Sequence, residues 1–171
     1  MGITSTAYKI VLLLHILCAI VGFGTVFLNG LYGAQAKKRP GPGGLAIQEA
    51  NLFVSKIAEY FIYAVFILGI GLVSMSDDAW KFSQTWIWLA MLLYIVGIGV
   101  SHGVLFPNAK KMRDLAAEMV AAGPPSADAP PGPPPQVAEM ERRGKTLGAA
   151  STFLHLLLVV ILVLMIWKPG H

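Results

Sequence analysis

Three histidines, His15, His102 and His155, stand inside stretches that carry almost no other ionisable side chain. An imidazole placed in an apolar run has three uses: bonding to a neighbouring helix, holding a haem iron through a ring nitrogen, or relaying protons. At ~1.5 Å per helical residue, His102 lies ~8 Å before Pro107 and His155 ~10 Å beyond Gly148. Both distances start from the same side of their runs, so the two rings are expected at similar depth on different helices. Two imidazoles so placed would clamp the iron of a haem b, whose axial nitrogens face each other across the macrocycle. Lys56 and Glu59 enter from that side too. With Ser101 and Thr152 as neutral neighbours they are expected to form one polar cluster in the inner leaflet, and His15 is expected in the outer one. Ionisable groups inside a span are costly and default to a functional reading. Packing, haem binding, and metal or proton transfer all stay open on these residues. Zinc or copper is the weaker fit, because no further Cys or paired carboxylate completes a tetrahedral shell.

The elements that must hold these side chains are membrane-length. Ile10 to Tyr32 carries no charge and reaches ~34 Å as a helix, enough to cross a hydrocarbon core of ~30 Å. Along it His15, Cys18, Gly22, Thr25 and Asn29 recur at steps of 3 and 4. That spacing draws a polar and small stripe down one face, and the stripe is expected to turn toward other helices, with Cys18 as a small packing residue. Further spans are read over residues 52–75, 85–107 and 148–167, with Trp86 and Trp88 as interfacial anchors of the third. On the third, Tyr94, Gly97, Ser101 and Asn108 share a face. Gly-x-Gly recurs in three spans and is read as close helix packing. The first run is too long for a signal-peptide core and lacks a small-x-small cleavage site, so it is expected to be retained.

Between the spans lie a basic Pro-Gly loop over 34–49, a short acidic loop with Asp77 and Asp78, and a polar helix over 108–122. A Pro-rich linker over 123–136 comes next, expected to be an extended spacer. Lys37, Lys38, Arg39, Lys110, Lys111, Arg113, Arg142, Arg143 and Lys145 all belong to the first and third connections, against Lys9, Lys81 and Lys168 on the other side. The positive-inside rule then places both termini outside and the long loop in the cytoplasm.

Composition agrees. The 171 residues are 56% hydrophobic and 13% charged, with a mean hydropathy of +0.66, whereas soluble domains carry roughly 25% charged residues. One all-α domain is expected over 1–171, an antiparallel bundle of four transmembrane helices, multi-pass in the lipid bilayer. A lone cysteine excludes an internal disulfide. The basic residues sit beside spans rather than along a groove-reading helix, so nucleic acid is not expected as a partner. No nucleophile–base set or phosphate loop supports hydrolase or nucleotide chemistry.

The motif "LLLHILCAIVGFGTVFL" around His15 and the stretch "WIWLAMLLYIVGIGVSH", within a four-span layout, resemble a group of small bacterial predicted integral membrane proteins of unknown function. More distantly the chain resembles the HemJ-type protoporphyrinogen oxidases and the membrane domain of the CopD copper-resistance proteins. The HemJ-type likeness implies a haem-binding role for His15. That family also uses a lysine in its third span, where this chain has His102 as the sole basic side chain between Trp86 and Phe106. The expected function is a membrane binding or accessory subunit carrying haem b. The alternatives are a haem-dependent oxidoreductase of porphyrinogen-oxidase type and a purely structural subunit of a larger membrane complex. The expected partners are the lipid bilayer and either further copies of the chain, in a homo-oligomer, or a larger membrane complex.

Overall fold

The computed structural model describes residues 2–123 and 132–170. Helix α1 spans Thr6–Lys38 and α2 spans Pro42–Ser74. Helix α3 (Thr85–Val100) passes through one π turn, Ser101–Leu105, into α4 (Phe106–Ala122), and α5 covers Pro135–Trp167. No strand occurs among the described residues. A chain in lipid must satisfy its N–H and C=O groups internally, and a helix does so residue by residue. Among the described residues four rods are long and apolar enough to cross a membrane, α3 and α4 counting as one rod of 38 residues. At most 17% of any rod's most apolar window is buried inside the chain. Such outward faces suit acyl chains, which are as apolar as the side chains they meet.

The rods outrun the expected spans. The loop expected over 34–49 shrinks to Arg39–Pro40–Gly41, because α1 continues to Lys38 and α2 begins at Pro42. Pro40 cannot continue α1, Gly41 takes the left-handed conformation (φ 80°), and Pro42 is pre-set for a first helical turn. Gly44 then comes so close to the end of α1 that a Cβ there would lie 2.3 Å from the Arg39 carbonyl oxygen and 2.8 Å from that of Ala36. At the other long connection, Gly123 ends α4 with φ 72°. Residues 124–131 of the expected linker lie outside the described residues. Its last two positions, Pro135 and Gln136, already belong to α5.

The π turn has a local cause. Pro107 has no N–H, and its ring clashes with the carbonyl four residues back, so the preceding turn widens and the Phe106 N–H reaches the Ser101 carbonyl, an i→i+5 bond. Asn108 Nδ2 donates to the Val104 carbonyl at 2.8 Å. A wide turn rotates the rest of the helix by roughly a quarter turn, so Asn108 leaves the face it would share with Ser101 in an unbroken helix.

The described chain falls into two compact units. The first comprises residues 2–28, 54–97 and 155–170, and the second 29–53, 98–123 and 132–154. In the first, four helix segments close a ring of contacts. Gly22 of α1 packs on Ala58 and Ile62 of α2. Tyr94 of α3 donates its hydroxyl to the Ile62 carbonyl and stacks on Phe66, ring centroids 5.0 Å apart. Trp86, Ile87 and Ala90 of α3 form a buried core with Ile161 and Leu164 of α5. Phe27 of α1 meets His155 of α5. Trp88 is exposed as an interfacial anchor would be, but Trp86 is buried. Trp86 lies edge-on to Trp80 at 5.5 Å, and the Lys168 ammonium sits 3.9 Å above the Trp80 ring, a cation–π clamp. Trp80 Nε1 donates to the Tyr8 hydroxyl, and the fully buried Ser76 Oγ accepts from the Trp80 N–H. These contacts tie the α2–α3 loop to both chain ends.

In the second unit, Glu139 holds both Arg142 and Arg143, and Arg143 Nη1 donates to Asn108 Oδ1 at 2.8 Å. The polar start of α5 is thereby strapped to α4. The Arg142 hydrogen bond, with Arg143 adding to it, keeps the Glu139 carboxyl below its usual range.

Candidate functional site

The small-and-polar stripe of α1 turns inward. Gly22 is buried and His15, Cys18, Thr25 and Asn29 are half-buried, while Leu12, Leu13, Leu14, Ile16, Leu17 and Ile20 stand exposed. A helix with apolar neighbours on every other side puts its costly groups where protein can meet them.

His15 sits on the α1–α2 seam. Its ring lies over Gly69, where an added Cβ would come 3.3 Å from Cε1 and 3.7 Å from Nδ1. Nδ1 is buried without a hydrogen-bond partner, and the Val65 backbone is the ring's hydrogen-bonding neighbour. Glycine at 69 is therefore what gives the imidazole room. His155 lies flat on Phe27, with ring centroids 4.3 Å apart and planes 3° from parallel, and its Nε2 is likewise buried and partnerless. Buried polar atoms are paired in the great majority of cases, and in this unit three ring nitrogens, His15 Nδ1, His155 Nε2 and Trp86 Nε1, are left over, of which the two imidazole nitrogens could ligate a metal.

The two rings do not share one site. Phe27 stands twelve residues beyond His15 on the same helix, ~18 Å along its axis. Axial ligands of one iron face each other across a single macrocycle, and His15 and His155 are too far apart along α1 to meet one iron in that way.

His102 lies in the π turn, exposed, its ring tilted against Phe106 at 5.7 Å. Single π turns inside helices are frequent at functional sites. Ser101 contributes its carbonyl to the bond that closes that turn. Glu59 accepts from the Tyr63 hydroxyl one turn along α2, while the side chain of Lys56 is exposed. Thr152 Oγ1 donates back to the Gly148 carbonyl at 3.0 Å, and Thr25 bonds the Val21 carbonyl in the same way. Both threonines are thus satisfied on their own helices. Lys56, Glu59 and His155 belong to the first unit, and Ser101, His102 and Thr152 to the second.

Phe27 under His155 escaped the sequence, since nothing in the spacing on its rod singles it out. Gly69 is one of the Gly-x-Gly glycines read as packing residues, and what the spacing did not give is the ring it meets, that of His15. The π turn did carry a signal, in Pro107 inside an otherwise unbroken helical run. No group of three or more His, Cys, Asp and Glu side chains that could hold a metal ion occurs among the described residues.

Four apolar rods with histidines on inward seams define a small polytopic helical membrane protein. The chain belongs to the family described as predicted integral membrane protein (DUF2269), whose model matches residues 9–169. No curated protein matches it, and no solved structure does.

Proposed function

We propose that this protein is a binding or accessory subunit of the membrane, working as a homo-oligomer or within a larger complex, and that haem b is the group its intramembrane histidines hold. The observation that carries this reading is the pair of buried, partnerless nitrogens, His15 Nδ1 and His155 Nε2. Their chemistry fits the group, since neutral imidazole nitrogen is an axial ligand of haem iron. Bound there, haem would supply one-electron transfer. What the chain contributes is orientation: Gly69 sets the His15 ring against α2, and Phe27 fixes the plane of the His155 ring. His102 completes the set of candidate ligands.

The test is a visible absorption spectrum of detergent-purified protein from haem-supplied cells, oxidised and reduced. A Soret band is expected. His15→Ala, His102→Ala and His155→Ala are then compared, and loss or displacement of the band identifies the ligand. Gly69→Ala is expected to move the band only where His15 ligates, because its methyl group intrudes on that ring alone. If no band forms, the haem reading is overturned and a structural subunit remains. A band indifferent to all three histidine substitutions would remove these ligands.

The membrane proposed is the bacterial inner membrane, with the basic ends of the rods in the cytoplasm and both termini outside, on the asymmetry of Lys and Arg. A cysteine introduced at Ser126 is expected to resist a membrane-impermeant maleimide in intact cells and to react after lysis. Efficient labelling of intact cells reverses the orientation.

A further inference from the structure

The second unit carries nine basic residues in its described part, and the structure divides them into two groups. Arg113 pairs with Asp114, Arg142 and Arg143 with Glu139, and Lys145 with Glu141. Lys37, Lys38, Arg39, Lys110 and Lys111 are all exposed and form no ion pair among the described residues. Glu49 and Glu118, the exposed carboxylates of this unit outside those pairs, leave the group net positive.

Position says what the free cations meet. Lys37 stands five residues beyond Tyr32, where the first apolar run ends, and Lys110 three residues beyond Pro107, where the third ends. At ~1.5 Å per residue these are ~8 Å and ~5 Å past the hydrocarbon edge, and the headgroup layer is only ~5–8 Å deep on each side. Just inside that edge, on the same unit, Leu31 and Phe53 are 64% and 65% exposed. Cations at headgroup depth above bare apolar side chains match an amphiphile that offers a phosphate and an acyl chain together. A nucleic acid or a free phosphate has no use for Leu31 and Phe53.

We infer that Lys37, Lys38, Arg39, Lys110 and Lys111 form a docking surface for anionic phospholipid headgroups, selecting phosphatidylglycerol-type lipids over zwitterionic ones from the leaflet at that end of the rods. Each cation near an anionic surface strengthens attraction by up to about fivefold, and salt screens the effect.

The experiment uses the full chain, delipidated in a neutral detergent, where orientation in a membrane plays no part. The protein is mixed with equal amounts of phosphatidylglycerol and phosphatidylcholine, repurified, and its retained lipid measured by mass spectrometry. Several-fold enrichment of phosphatidylglycerol is expected. It should fall toward parity in about 0.5 M NaCl, several-fold above the ionic strength at which charges are already screened beyond about 8 Å. It should also fall toward parity in the variant carrying Lys37→Gln, Lys38→Gln, Arg39→Gln, Lys110→Gln and Lys111→Gln. Lys9→Gln with Lys81→Gln, on the other unit, should keep the enrichment. Should the fivefold variant fail to purify as a monodisperse species, Lys110→Gln with Lys111→Gln replaces it and a partial fall is expected. Enrichment unchanged by these substitutions overturns the assignment. So does displacement of phosphatidylglycerol by inorganic phosphate where NaCl of equal ionic strength leaves it bound, which would make this a free-phosphate site.

Discussion

Gly44→Ala should destabilise the protein by about 3 kcal/mol, the upper end of what overpacking costs, while Gly43→Ala next to it should be neutral or slightly stabilising. A Cβ at 44 would lie 2.3 Å from the Arg39 carbonyl oxygen and 2.8 Å from that of Ala36. Both atoms are backbone, held by the end of α1, and neither can swing aside as a side-chain tip would. The three-residue turn must open, and α2 must move off α1 where their ends meet. At 43 the nearest atom is the Arg39 Cβ at 3.8 Å, an ordinary contact. There the substitution mainly narrows the unfolded ensemble, worth about 0.4–1 kcal/mol in favour of the fold. Thermal melting of each variant followed by circular dichroism in one detergent measures the difference. Equal midpoints for the two variants would show that the turn is looser than its geometry.

Gly22→Leu is the second large effect, and Gly24→Leu is its control. A Cβ at 22 meets Ile62 Cγ1 at 2.9 Å, the Ile62 amide nitrogen at 3.2 Å and the Ala58 carbonyl oxygen at 3.4 Å. The isoleucine branch has some freedom, but the two backbone atoms do not, so a leucine must push α1 and α2 apart along the seam. Helices in lipid associate through close packing rather than a hydrophobic drive, so the loss is not recovered elsewhere. A cost of about 3 kcal/mol or more is expected, with lowered resistance to SDS unfolding as the readout. At Gly24 nothing stands within 4 Å of an added Cβ. A leucine there meets acyl chains and leaves stability within about 0.5 kcal/mol of the parent.

The Gly22–Gly24 pair shows how far spacing alone carries. Gly-x-Gly in α1 reads as packing through small residues, yet the structure uses one glycine of the pair and leaves the other open. Residues two apart on a helix point to different sides, so at most one could lie on a given seam. The stripe of His15, Cys18, Gly22, Thr25 and Asn29 picks out which one, and the structure turns that stripe inward. The tight α1–α2 turn was harder to read. Pro40, Gly41, Gly43 and Gly44 signal loop by composition, but only the approach of Gly44 to two carbonyls requires glycine in the first turn of a helix. Trp86 and Trp88 look alike as interfacial anchors, and burial against Ile161 and Leu164 separates them.

The amino-acid order alone determined that the chain is all-helical, that it has four apolar rods, and that the first rod keeps its polar side chains on one line. These features come from local physics: in an apolar solvent each backbone group must find its partner within its own helix, and the spacing of side chains around that helix is then set. Tertiary structure alone decided that His15 rests on Gly69, that His155 lies on Phe27, that Lys168 caps Trp80, and that two imidazole nitrogens are left over. Those pairings depend on how neighbouring rods rotate and slide against each other. Rods so evenly covered in Leu, Ile and Val offer many rotations that periodicity cannot rank, and only the packed bundle chooses among them.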